Sequence, residues 1–191
     1  MNKKLRCFWV GDDDLMKEYH DNEWGDPVHD DRKLFEYMVL DAFQAGLSWR
    51  TILHKRDNFR IAFDNFEPAI IATYDDIKVH SLLNNKGIVR NRSKIMATIN
   101  NAKLFLQIQK ECGSFDQYIW QFTDYQTLRN PEGTTRDTMP TSLKESDAMS
   151  ADLKKKGFKF VGTTICYAFM QAIGMVDDHC IGCFKAKKAT D

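Results

Sequence analysis

The chain has 191 residues, 43% of them hydrophobic and 28% charged, with Lys+Arg and Asp+Glu both at 27 and a formal net charge of zero. That length holds one sizeable core or two small lobes. The balance argues against a protein that grips nucleic acid by net charge alone. No apolar run reaches the roughly 18 residues of a membrane span, and the start, MNKKLRCFWVGDDD, has no apolar stretch of signal-peptide length. The expectation is a cytoplasmic protein with no membrane contact. Charge is nonetheless uneven: KRDNFR and VRNRSK are basic, GDDDLMKE and YDD acidic. Five cysteines, at 7, 112, 166, 180 and 183, are an odd number in a cytosolic-looking chain. That favours thiols or metal ligands over disulfides.

In chain order the pattern is helical. A short helical stretch is expected between Cys7 and His20. DDRKLFEYMVLDAFQAG opens with a cap at Asp30 or Asp31, carries Leu34, Phe35, Met38, Val39, Ala42 and Phe43 on one stripe, and breaks at Gly46. Ser48 caps a helix over WRTILHKRDNFRIAF, and Pro68 suits the first turn of PAIIATY. YDDIKVHSLLNN and IVRNRSKIMATINNAKLFLQIQKECG form two helices joined at Lys86-Gly87, with Gly113 as the stop. SFDQYIWQF is a short capped helix. Residues 123–145 are polar, hold two of the four prolines and are expected as a long loop. SDAMSADLKKKG and TTICYAFMQAIG are the last helices. No stretch alternates like a strand, so the reading is all-α, a helical domain over 1–184 in two lobes, with 185–191 as a flexible tail.

DDHCIGCF places His179 and Cys183 four apart, the spacing of one helical turn and of two ligands on one metal. The remaining pool is Cys7, Cys112, Cys166, Cys180 and the histidines at 20, 29, 54 and 80. Cys166 lies in an apolar run and reads as core; Cys112 ends a helix. Adding Cys7 and His20 would give two thiolates and two imidazoles, a normal tetrahedral zinc set tying both chain ends together. Spacing alone leaves free thiols and surface histidines as the alternative.

RCFWV, EYHDNEWG, LFEYMVLDAFQAGLSW, GIVRNRSKI, LKKKGFKFVGTTICYAFMQAIG and DDHCIGC occur in this order. Together they resemble the 3-methyladenine DNA glycosylase I family over nearly the whole chain, about Cys7 to Cys183. The resemblance implies a helix-hairpin-helix fold and one structural zinc on Cys7, His20, His179 and Cys183. Four protein ligands leave no open position for water, so the zinc would serve structure. It implies a monofunctional enzyme that acts on double-stranded DNA, releases 3-methyladenine and leaves an abasic site. Cys180 is given no role.

Such an enzyme extrudes the damaged base and reads it in a pocket. A cationic alkyladenine calls for aromatic faces and an acceptor for its exocyclic amine. On helical geometry Asp41 falls roughly 20° outside the stripe of its helix, at the border of the buried face; by itself it reads as a solvated carboxylate. The resemblance makes it the base-recognising and catalytic carboxylate. The family's usual residue there is glutamate, in LEG, where this chain has LDAF, so the reach is one carbon–carbon bond shorter. Isolated aromatics are ordinarily core; the resemblance assigns Trp49 as stacking platform, Tyr19 as hydrogen-bonding wall and Trp9 as second wall, and leaves Trp24 between pocket and core. Glu23 reads as part of a turn.

For DNA contact, NNKGIVRNRSK offers backbone N–H groups at a helix N-terminus. Lys86, Gly87, Val89 and Arg90 are the candidates, with Arg92 and Lys94 in reserve. The QAGLSW turn would push Gln44 or Leu47 into the space left by the base. Many helix-hairpin-helix glycosylases carry an aspartate after the hairpin; VRNRSKIMATINNAKLF has none. A zinc-stapled DNA-binding module without turnover, or a zinc hydrolase with an open coordination position, are the alternatives. A monomer is expected.

Overall fold

The computed structural model describes residues 4–186. Its helices are α1 (Asp14–Asn22), α2 (Asp31–Gln44), α3 (Trp49–Leu53), α4 (Arg56–Ala62), α5 (Pro68–Ile71), α6 (Asp76–Asn84), α7 (Arg92–Cys112), α8 (Phe115–Trp120), α9 (Lys144–Lys155) and α10 (Thr163–Ala172). Two residue pairs, β1 (Leu128–Arg129) and β2 (Val176–Asp177), form a small parallel ladder.

The helix starts follow side-chain chemistry. Asp30, Ser48, Asn91 and Ser114 each accept a hydrogen bond from the backbone N–H three residues on. Such a cap contributes about 1 kcal/mol over alanine. Pro68 occupies the first turn of α5, and Gly113, at φ +88°, ends α7.

The buried apolar residues form one cluster with α2 at its centre. α2 packs against α3, α7, α8 and α10. Every residue from Leu34 to Phe43 is therefore buried, not only those on the stripe. Asp41 at 2% exposure is interior, which corrects its expected place at the edge of the buried face.

Three further expectations are revised. The helix over 49–63 breaks at His54 and Lys55 into α3 and α4. His54 Nε2 and Arg50 Nε both reach back to Asp13 Oδ2 at the break, at 2.7 and 2.8 Å. The second hairpin helix begins at Arg92, not Ile88; Ile88 is buried and Asn91 is the extended cap. The long polar loop contains β1, held because Leu128 N–H donates to the Met175 carbonyl at 2.9 Å. Ile181 N–H donates to the Thr134 carbonyl at 2.8 Å, fastening the same loop to the last segment of the chain. Residues 187–191 of the expected flexible tail lie outside the described residues; Lys185 Nζ donates to the Trp24 carbonyl at 3.2 Å and to Asp26 at 3.0 Å. Among the described residues no helix is long and apolar enough to cross a membrane.

Candidate active site and metal centre

A cavity of about 370 Å³ opens between four helices. Helical spacing supplies its walls in pairs three residues apart: Met16 and Tyr19 from α1, Asp41 and Gln44 from α2, Ala168 and Gln171 from α10. The first turn of α3 adds Trp49, and Phe8, Trp9, Trp24 and Met139 extend the apolar lining. The assigned base-binding set of Tyr19, Trp49, Trp9 and Asp41 is thus brought together.

The rings are packed against one another. Tyr19 and Trp49 have centroids 5.1 Å apart at 44°, and Trp9 meets Trp24 edge-on at 4.9 Å. Trp24 both lines the cavity and packs edge-on against His179, 4.7 Å between centroids, so it belongs to pocket and core alike. Two buried polar atoms of the lining have no protein partner: Asp41 Oδ2 and Trp49 Nε1. They are one acceptor and one donor. Burial pushes the Asp41 carboxyl well above the usual carboxylate range. A cation in the cavity would favour its ionised form. Burial likewise pushes up the Tyr19 phenol, helped by the nearby Tyr37 and Asp41.

Glu23 takes no part in the cavity. Its carboxylate accepts from Arg56 Nη1 and Nη2 at 2.7 and 2.8 Å and from the Tyr37 hydroxyl at 2.8 Å, tying the end of α1 to α2 and α4. Burial opposes its ionisation, but the Arg56 guanidinium outweighs burial and brings the carboxyl down to about 2.

The proposed DNA residues fall in two places. Gln44 lines the cavity, while Leu47 stands 43% exposed on the following turn. Gly46 between them has φ +79°, which favours glycine. At the hairpin Lys86 and Arg90 are exposed, and Gly87 and Val89 half-buried. Gly87 N–H donates to Asn85 Oδ1 at 2.8 Å, and Lys55 Nζ reaches the Lys86 and Gly87 carbonyls at 3.3 Å. Lys94 is not a surface contact, contrary to its place in reserve. It is buried, and its ammonium donates to the Phe43 and Ala45 carbonyls at 2.8 and 2.6 Å.

The two chain ends meet at Cys7, His20 and Cys183. One potential ligand atom from each lies within 4.8 Å of the other two, a group that could hold a metal ion. His179 lies beside it, its ring centroid 5.2 Å from that of His20. His179 and Cys183 sit on irregular chain after β2, so the four-residue spacing works through turns and not through a helix. His20 is inside α1, in its last turn, instead of flanking a helix. Each histidine is oriented by a neighbouring carboxylate: His20 Nδ1 lies 2.9 Å from Asp21 Oδ1, and His179 Nδ1 2.8 Å from Asp177 Oδ1. The ring's other nitrogen is then left as the ligand atom. His179 Nε2 is buried with no partner. Cys180 contributes its backbone N–H, which donates to Cys7 Sγ at 3.2 Å. Burial pushes the Cys7 thiol up and the His20 imidazolium down. A divalent cation would reverse the first and suit the second, because it binds thiolate and neutral imidazole. Asp21 and Asp177 were legible as acids beside histidines in YHD and DDH. Gln171 and Met139 gave no signal of their own.

The chain belongs to the methyladenine glycosylase family, whose model matches residues 9–186. It is 49% identical over 178 residues to DNA-3-methyladenine glycosylase 1 of Escherichia coli K12, covering 93% of this chain and 95% of that one. A crystal structure of 3-methyladenine DNA glycosylase I superposes with a TM-score of 0.93 at 50% identity, over 96% of this chain and all of the other. The Staphylococcus aureus enzyme, described for its recognition of 3-methyladenine, superposes with a TM-score of 0.89 at 31% identity, over 95% of this chain and 98% of that one.

Proposed function

We propose that the protein is a monofunctional DNA glycosylase of DNA repair, hydrolysing the bond between 3-methyladenine and its deoxyribose and leaving an abasic site. The observation that carries this reading is the Asp41 carboxylate, buried and unpaired on the wall of an aromatic cavity. A buried carboxylate with no partner costs stability, and a cationic purine would supply both charge and amine. The named activity of a relative at 49% identity supports the same substrate.

The extruded base stacks on Trp49, with Tyr19 as a hydrogen-bonding wall and Trp9 and Trp24 completing the aromatic surround. Ring faces attract the positive charge. Asp41 accepts from the exocyclic amine, and its negative charge favours the positive charge that develops on the sugar as the bond breaks. The bond from C1′ to N9 breaks with its electron pair going to the base, which leaves neutral. Water adds to C1′ and gives up its proton. The lability of the cationic base supplies the driving force, so no nucleophile is assigned. Asp41 is one methylene shorter than the family's usual glutamate, and the cavity must bring the base that much deeper.

The α6–α7 hairpin is assigned to the DNA backbone, through Lys86, Gly87, Val89, Arg90 and exposed Arg92. Gln44 and Leu47 are assigned to the gap left by the base. One structural zinc is assigned to Cys7, His20, His179 and Cys183. The donor set and the orphaned His179 Nε2 fit it. When bound, it cross-links the two ends of the chain. The enzyme works as a monomer, one two-lobed domain over 1–184, in the cytoplasm, where thiols such as Cys112 and Cys166 stay reduced.

The test is incubation of methylated duplex DNA with purified protein and chromatography of the free purines. Release of 3-methyladenine with 7-methylguanine left in place is expected. A folded, metal-loaded protein that releases neither is a binding module.

A further inference from the structure

Lys94 joins two elements that the proposed function uses separately. It sits in the first turn of α7, immediately after the hairpin, with its backbone N–H held by the Asn91 cap. Its side chain crosses to the C-terminal end of α2 and donates to the Phe43 and Ala45 carbonyls at 2.8 and 2.6 Å. Those carbonyls have lost their helical partners, because α2 stops at Gln44 and Ala45 turns out at ψ 115°. Leu47 N–H then closes the turn onto the Gln44 carbonyl at 2.6 Å. The ammonium is therefore the clasp between the hairpin and the turn that carries Gln44, Leu47 and Trp49. A lysine is 7% exposed here with no carboxylate among its hydrogen-bond partners. Lysine is rarely buried without such a partner, so packing alone does not account for it.

We infer that Lys94 is a positioning residue: it fixes the Ala45–Ser48 turn in register with the DNA-binding hairpin, so that Leu47 enters the duplex where the hairpin has docked. This rests on the glycosylase reading. A helix C-terminus welcomes positive charge in any case; what the geometry adds is that one side chain links the two DNA-facing segments.

Lys94→Met keeps the aliphatic stem and removes the donors. Three readouts separate positioning from support. Release of 3-methyladenine from methylated duplex should fall by about tenfold or more, as expected when a reacting group is misplaced. Affinity for free 3-methyladenine, read by tryptophan fluorescence, should fall by much less than excision does, because Asp41 and the walls from α1 and α10 are untouched although Gln44 and Trp49 flank the turn. The salt dependence of DNA binding should keep its slope, whereas a lost phosphate contact flattens it by about one unit. Lys94→Arg, which keeps a cation and its donors, should recover part of the loss. Equal falls in excision and free-base affinity, unchanged excision, or a flatter slope would each overturn the inference. If Lys94→Met does not fold, Lys94→Gln is read in the same way. Combining the change with Leu47→Ala should add little to Leu47→Ala alone; additive losses also overturn it. A wild-type protein that releases no base sinks the glycosylase reading instead.

Discussion

Asp177 Oδ1 lies 2.8 Å from His179 Nδ1, and the contact leaves Nε2 as the ring's free nitrogen. Arg129 Nε holds the other oxygen of the same carboxylate at 3.1 Å. Burial opposes ionisation of Asp177, but the contact with His179 outweighs it and brings the carboxyl to about 2. Asp177→Ala should therefore weaken zinc affinity by about 10–100-fold, the usual effect of losing an orienting carboxylate. Competition with a chromophoric chelator measures it. A variant with wild-type affinity would remove His179 from the ligand set.

Asp41→Asn should stabilise the protein and disable it. Burial raises the Asp41 pKa in the fold well above its ordinary value of 3.8. A raised carboxyl favours the folded state only while protonated, and stability is lost as pH rises through the folded pKa. The amide removes that loss, with a gain of about 1–2 kcal/mol at neutral pH, or roughly 2–4 °C in Tm per kcal/mol for a chain of this size. The gain over wild type should shrink as pH falls toward 4. Release of 3-methyladenine should fall by about tenfold or more. Retained activity would show that Asp41 is dispensable.

Trp49→Ala should weaken free 3-methyladenine binding. Stacking on an aromatic face is worth about 1–3 kcal/mol per base, or roughly 5–150-fold. Calorimetry with the free base checks this. An affinity unchanged by the substitution would assign stacking to Tyr19 or Trp9.

Glu23 and Arg56 predict acid behaviour. Glu23 is brought down to about 2 from its ordinary value of 4.5. A depressed carboxyl contributes stability above about 4.5 and loses it as pH falls through about 2. Glu23→Gln should flatten that part of the stability–pH curve and lower stability at neutral pH. Removing Arg56 instead leaves the part-buried carboxylate with only the Tyr37 hydroxyl at 2.8 Å and Lys33 at 3.5 Å, at a cost of about 1–3 kcal/mol. Urea titrations between pH 2 and 7 test both. A curve for Glu23→Gln parallel to wild type would remove the pair from the acid transition.

Much of the scaffold was legible because helix caps are local chemistry. Asp30, Ser48, Pro68, Gly113 and Ser114 act at their expected positions. The depth of Asp41 was not legible. Amphipathic spacing presumes one wet face, and α2 has none from Leu34 to Phe43. At the break His54 bonds Asp13, 41 positions away, a contact that no local window contains. Lys94 read as a surface cation because its acceptors, the Phe43 and Ala45 carbonyls, lie 51 and 49 positions back. The cavity pairs on α1 and α10 follow helical periodicity but become a site only when the two helices face each other.

The meeting of His20 with Cys183, 163 positions apart and 3.4 Å between Nε2 and Sγ, also bears on how the chain matures. Closing so long a loop is slow relative to local helix formation. A ribosome delivers α1 through α10 before it delivers His179 and Cys183. The helices can gather around α2 while synthesis continues, but Cys7 and His20 must wait with half a ligand set. With the proposed zinc site, metal capture is the last event of folding. A chain cut short before His179 would carry most of its core and the Asp41 carboxylate, yet lack the cross-link that seals its two ends.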